Sequence, residues 1–113
     1  MAATANLRID QGASFSSDVT VKDNTGTVFD LTNYTAAAKM ALGYSSTRTR
    51  VAMTTTISDP TNGVITLSLT ADQTTALEAP ARYVYDVEIT NTSDSTVTRV
   101  IEGIITTSPN VTT

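Results

Sequence analysis

Threonine is the feature that most restricts this chain, filling 24 of its 113 positions. A β-branched side chain loses rotamer freedom on a helix and packs well on a pleated surface, so a chain this rich in it is driven toward strands. Thr/Ser/Ala-rich sequence can also stay unfolded. Here, however, apolar residues alternate with polar ones in run after run, the period of half-buried strands. The sequence reads as all-β.

The runs can be followed along the chain. Leu7 and Ile9 alternate in a first strand, and Phe15, Val19 and Val21 lie in a second. The turn Asp23-Asn24-Thr25-Gly26 then supplies a glycine where a hairpin needs positive φ. Residues 28–31 read as a short third strand. Ala36, Ala38, Met40 and Leu42 alternate next, followed after a loop at 43–50 by Val51, Met53, Thr55 and Ile57. Asp59-Pro60-Thr61-Asn62-Gly63 is the clearest turn, and it opens a strand with Ile65, Leu67 and Leu69 on one face. A short helical turn near 70–77 is signalled by Thr70 and Gln73 in capping-box spacing, with Leu77 as its apolar anchor and Pro80 as its stop. The strand over 82–90 sets Tyr83, Tyr85, Val87 and Ile89 against Val84, Asp86 and Glu88. The last strand, over 96–107, alternates Val97 and Ile101 around Arg99, with Gly103 as a bulge candidate and Pro109 as its end.

Seven or eight strands at roughly ten-residue spacing without long helices predict an antiparallel β-sandwich forming one domain over residues 1–113, with short flexible ends. A small barrel is the alternative. A helical turn followed by Tyr-Val-Tyr also looks like the tyrosine corner of immunoglobulin-like sandwiches, in which a hydroxyl pins the crossover between sheets. Tyr83 is the corner residue in that reading. Tyr85 sits two places on, where antibody domains carry cysteine, and its hydroxyl has no predicted partner.

The chain lacks cysteine and histidine, which excludes a disulfide scaffold, a thiolate nucleophile and the usual general base. The serines Ser14, Ser16 and Ser17 then have no partner to activate them, no catalytic residue is assigned, and no cofactor is implied. A net charge of −4 with scattered cations offers no track for a nucleic-acid backbone. No apolar stretch approaches the ~20 residues of a membrane span, and the start lacks a signal-peptide pattern. The expectation is a soluble protein made in the cytoplasm, without nucleic-acid or membrane partners.

The run Leu69-Thr70-Ala71-Asp72-Gln73-Thr74-Thr75-Ala76-Leu77, then Arg82-Tyr83-Val84-Tyr85-Asp86-Val87-Glu88, Arg99-Val100-Ile101-Glu102-Gly103 and Pro109-Asn110-Val111-Thr112 resembles small immunoglobulin-like virion structural proteins of tailed bacteriophages. These are related to the N-terminal immunoglobulin-like domain of phage baseplate upper proteins. Gln11-Gly12-Ala13, Asp30-Leu31-Thr32-Asn33-Tyr34-Thr35 and Asp59-Pro60-Thr61-Asn62-Gly63 are similar too, so the resemblance covers nearly the whole chain. One departure is Pro80-Ala81, where such domains more often have glycine. The resemblance implies a non-enzymatic particle component in capsid, neck, tail, baseplate or fibre. Its localisation would be the virion, and its partners other virion proteins in many copies or copies of itself.

Two sets of oxygen donors, Asp23, Asn24 and Asp30 or Asp59 and Asn62, have the chemistry but not the spacing of a calcium loop. Turn residues bonding their own backbone is the simpler reading, and no metal site is assigned. Asp86 and Glu88 share a strand face, which suits a solvated surface better than a glycosidase pair. The most distinctive candidate is the loop at 43–50. It displays Tyr44, Arg48 and Arg50, side chains enriched at protein interfaces. It reads either as an interface or as a solvated hairpin. A host-surface or glycan-binding adhesion module is the alternative function, with Tyr34 and Tyr44 as its aromatic candidates.

Overall fold

The computed structural model describes residues 3–45 and 48–111. Its strands are β1 (Ala3–Thr4), β2 (Leu7–Asp10), β3 (Phe15–Thr20), β4 (Tyr34–Ala41), β5 (Val51–Asp59), β6 (Val64–Leu69), β7 (Ala81–Asn91) and β8 (Val97–Ser108). A 3-10 turn, Pro60–Asn62, joins β5 to β6, and a short helix α1, Ala71–Thr75, joins β6 to β7.

The strands follow one path, β1-β8-β7-β4-β5-β6-β3, with β2 also on β8. The path folds over on itself at β5. Residues 51–53 of β5 pair with β4, whereas residues 54–59 pair with β6, so one strand serves both layers. Where β5 leaves β4, the Thr55 hydroxyl donates to the Ala36 carbonyl at 2.9 Å. With β3 and β6 in one layer and β4, β7 and β8 in the other, the arrangement matches the B–E and C–F–G strands of an immunoglobulin-like sandwich. Among the described residues the two ends of the path do not pair, so the barrel does not close.

Alternation decides which side chains are enclosed. Ile65, Leu67 and Leu69 of β6 face Met40, Tyr85, Val87 and Ile89 across one core that also takes in Ile9, Val19 and Ile105. The short helix forms as its signals dictate. The Thr70 hydroxyl accepts from the Gln73 N–H at 3.2 Å, and the Gln73 side chain accepts from the Thr70 N–H at 2.8 Å. Leu77 is buried beneath it.

Several expectations are corrected. Residues 28–31 form no strand beyond a single bridge between Lys22 and Val28. The Asp30 carboxylate instead accepts from the Thr32 N–H and hydroxyl, and Asn33 takes a positive φ of 67°, which bends the chain before a ladder can extend. The sandwich is not wholly antiparallel, because β1 and β2 run parallel to β8. The last strand does carry a bulge, but at Val100: Val87 opposes Ile101 while Glu88 opposes Arg99. The extra residue puts Val100 and Ile101 both in the core and leaves Val97 55% exposed.

Gly103 has a different task. A Cβ there would overlap the carbonyl oxygen of Ala5. The glycine lets the N-terminal strand cross close to β8, where Ala5 N–H donates to the Glu102 carbonyl at 2.9 Å and Ile104 N–H to Asn6 Oδ1 at 3.1 Å. Residues 3–10 are thus laid against the sheet. The flexible ends expected from sequence fall in part on residues 1–2 and 112–113, which lie outside the described residues.

Candidate interface

The loop between β4 and β5 is organised from within. Arg50 turns its guanidinium inward, its Nη1 donating to the carbonyls of Gly43 (3.4 Å), Ser45 (3.0 Å) and Arg48 (3.1 Å) and its Nη2 to that of Tyr44 (3.2 Å). The fork geometry of guanidinium suits it to gathering several carbonyls at once. Arg50 therefore acts as a clamp on its own loop while remaining exposed, a role that residue type did not reveal. Ser46 and Thr47 of the same loop lie outside the described residues.

The clamp leaves Tyr44 78% exposed, with Leu42 beside it at the edge of exposure. Tyr44 and Arg50 share a hollow of about 70 Å³ against the outer face of the sheet, lined also by Ala41, Val84 and Asp86. Arg48 lies elsewhere, in an open groove of about 380 Å³ with Leu42, Val51, Glu78 and Tyr83. The structure thus brings Tyr44 and Arg50 together and sends Arg48 toward the helical crossover.

The outer face beside the loop is banded. Ala41, Val84 and Ile104 stand in one cross-strand row, since Ala41 opposes Val84 and Val84 opposes Ile104. The next row is charged: Lys39 opposes Asp86, which opposes Glu102. Arg99 pairs with both carboxylates, at 3.5 Å to Asp86 and 3.7 Å to Glu102. Asp86 and Glu88 do share the outer face, but Asp86 is engaged with Arg99, an arrangement unlike a free acid/base pair. These exposed pairs add little stability and chiefly shape the surface.

Tyr83 is 5% exposed, and its hydroxyl accepts from the Glu78 N–H at 2.8 Å, one residue past the expected 70–77 connection. This is the tyrosine-corner contact. Tyr85 corrects the expectation of a partnerless hydroxyl, for it donates to the Ala5 carbonyl at 2.6 Å. Burial pushes the Tyr85 phenol up from 10.0 to about 12. Two buried hydroxyls were missed altogether. Thr74 accepts from Gly12 N–H at 3.1 Å and donates to the Ala13 carbonyl at 2.9 Å, and Thr107 donates to the Glu78 carbonyl at 2.6 Å. Only the threonine abundance hinted at them, and abundance carries no address.

The oxygen-rich turns bond within themselves, to backbone at Asp23 and to side chains alone at Asp59. Asp23 accepts from the Thr25 N–H and hydroxyl and from the Thr27 N–H, while Asp59 accepts from Thr61 and Asn62. The Thr25 hydroxyl and N–H hold the Asp23 carboxyl below its usual range. Thr32 does the same for Asp30, and the Thr96 N–H for Asp94. A depressed folded pKa contributes stability that is full above the unfolded value of about 3.8 and is lost as pH falls through the folded value. Urea unfolding across the acid range should therefore show a declining limb beginning near that value. The combined Asp23→Asn, Asp30→Asn and Asp94→Asn variant should flatten it, and an unchanged limb would remove these turns from the acid response.

Tyr34 packs edge-on against Phe29 with ring centroids 5.4 Å apart, and it begins β4 whereas Tyr44 follows the strand's far end. The two rings therefore form no common platform. Neither the family models nor the curated proteins searched give a match to this chain.

Proposed function

We propose that this chain is a non-enzymatic structural subunit of a tailed-phage particle, joined to neighbouring virion proteins through the loop end of its sandwich. The observation that carries the binding part of this reading is the Arg50 clamp, which holds Tyr44 exposed beside the Ala41–Val84–Ile104 row. A loop backbone fixed before contact loses less conformational freedom on binding than a mobile one. The particle assignment rests on the resemblance of residues 69–77, 82–88, 99–103 and 109–112 to phage virion proteins. Repetition of the subunit would make modest individual contacts sufficient through avidity. The fold alone would serve an adhesion module equally. The separation of Tyr34 from Tyr44 favours a protein partner over a stacked sugar.

The loop can be tested without disturbing its clamp. Tyr44→Ala with Arg48→Ala should lower incorporation into particles while changing stability by less than about 0.5 kcal/mol, as exposed loop substitutions do. Arg50→Ala should also lower incorporation, but by loosening the loop, visible as faster amide exchange in residues flanking it. Normal incorporation of the double variant would make the loop a solvated hairpin.

A further inference from the structure

The turn between β5 and β6 carries the sequence's single Asn-Gly pair, Asn62-Gly63. Asparagine before glycine is prone to self-reaction, because glycine leaves its own backbone nitrogen unshielded for attack on the asparagine side chain. In the folded protein that attack is blocked. Asn62 ends the 3-10 turn, and the helical ψ of such a turn holds the Gly63 nitrogen about a quarter-turn out of the plane in which a ring would close. The Gly63 N–H is engaged, donating to the Pro60 carbonyl at 3.2 Å. So is the Asn62 amide, whose Nδ2 donates to Asp59 Oδ2 at 2.9 Å.

Rotation of the Asn62-Gly63 peptide is also opposed from outside the turn. Gly63 is buried at a φ of 71°, where a Cβ would stand 2.6 Å from the Val21 carbonyl oxygen and 2.7 Å from that of Phe29. The same segment bonds the turn, Val21 N–H to the Gly63 carbonyl and Leu31 N–H to the Pro60 carbonyl, both at 2.7 Å. Gly63 is free to turn only once these bonds open. Asn62 is itself exposed, so water is at hand when they do.

We propose that Asn62 is a fold-gated deamidation site, at which opening of the turn away from residues 21–31 permits an irreversible covalent change. In the open turn the Gly63 nitrogen, its proton passing to solvent base, bonds to Asn62 Cγ, and the side-chain nitrogen leaves as ammonia. Water then adds to the resulting succinimide and opens it at either carbonyl, leaving aspartate or isoaspartate. Neither product restores the turn. A carboxylate replaces the amide that donated to Asp59 and sets two like charges together. Isoaspartate also lengthens the main chain by a methylene just before a glycine enclosed by backbone. The turn therefore stays loosened, and the modification keeps a record of its opening.

The test incubates the full chain at mildly alkaline pH, one sample folded and one unfolded in urea, with peptide mapping by mass spectrometry to follow the amide-to-acid change at Asn62. Loss of Asn62 should be at least about ten-fold slower in the folded sample, as for any reaction that proceeds through an open state. Sub-denaturing urea should raise it in step with amide exchange at Val21 and Leu31, whose N–H groups hold the turn. Equal rates in the two samples, or no reaction at Asn62 in either, would overturn the proposal. The consequence has its own readout. Protein deamidated in urea and refolded should exchange those two amides at least about ten-fold faster than untreated protein. Asn62→Gln, whose longer side chain closes a ring far more slowly, should come through the same treatment with its exchange unchanged. Faster exchange in both chains, or in neither, would overturn that consequence.

Discussion

Gly103→Ala is expected to destabilise the protein by about 2–4 kcal/mol, on the scale of three hydrogen bonds at ~1 kcal/mol each. The new methyl would occupy the place of the Ala5 carbonyl oxygen, which is backbone and cannot swing aside. Relief requires the N-terminal strand to lift from β8. That movement breaks the Ala5–Glu102, Ile104–Asn6 and Tyr85–Ala5 bonds together. Urea unfolding gives the loss, and amide exchange should locate it at Ala5 and Ile104. A Gly103→Ala protein as stable as the parent would mean that the strand does not cross β8 as described.

Tyr85→Phe is the second large effect, expected at about 1–3 kcal/mol because the Ala5 carbonyl loses its buried partner. Tyr83→Phe should cost less, since its partner, the Glu78 N–H, borders the open groove where water can replace the hydroxyl. Alkaline pH separates the two further. The Tyr85 phenol ionises near 10.0 in the unfolded chain and near 12 in the folded one, so between those values the unfolded state loses its proton first. Stability should fall across that interval in the parent and decline less in Tyr85→Phe. If Tyr83→Phe proves the more damaging change and the alkaline decline persists in Tyr85→Phe, the Tyr85–Ala5 latch is wrong.

Local signals were legible in proportion to how local their physics is. The limits of β6 and the capping box at Thr70 could be read directly, because each depends on neighbours within a few residues. The Val100 bulge was not legible, since a one-residue slip is decided by which strand lies opposite. Gly103 carried a signal that was attributed to the wrong cause: its missing side chain answers to Ala5, nearly a hundred residues away. The same holds for Tyr85. At the candidate interface, residue type identified Tyr44, Arg48 and Arg50 but could not divide them. Displaying a side chain and clamping a loop call on the same guanidinium chemistry, and only the four carbonyls gathered around Arg50 distinguish them.

As proposed above, this immunoglobulin-like sandwich would be a built-in part of a phage particle. Quantitative protein analysis of purified particles and of the soluble lysate from infected cells addresses it most directly. The chain is expected in purified particles in fixed, multi-copy proportion to the other virion proteins, surviving washes that remove loosely bound material. A chain abundant in the soluble fraction and missing from purified particles would contradict it.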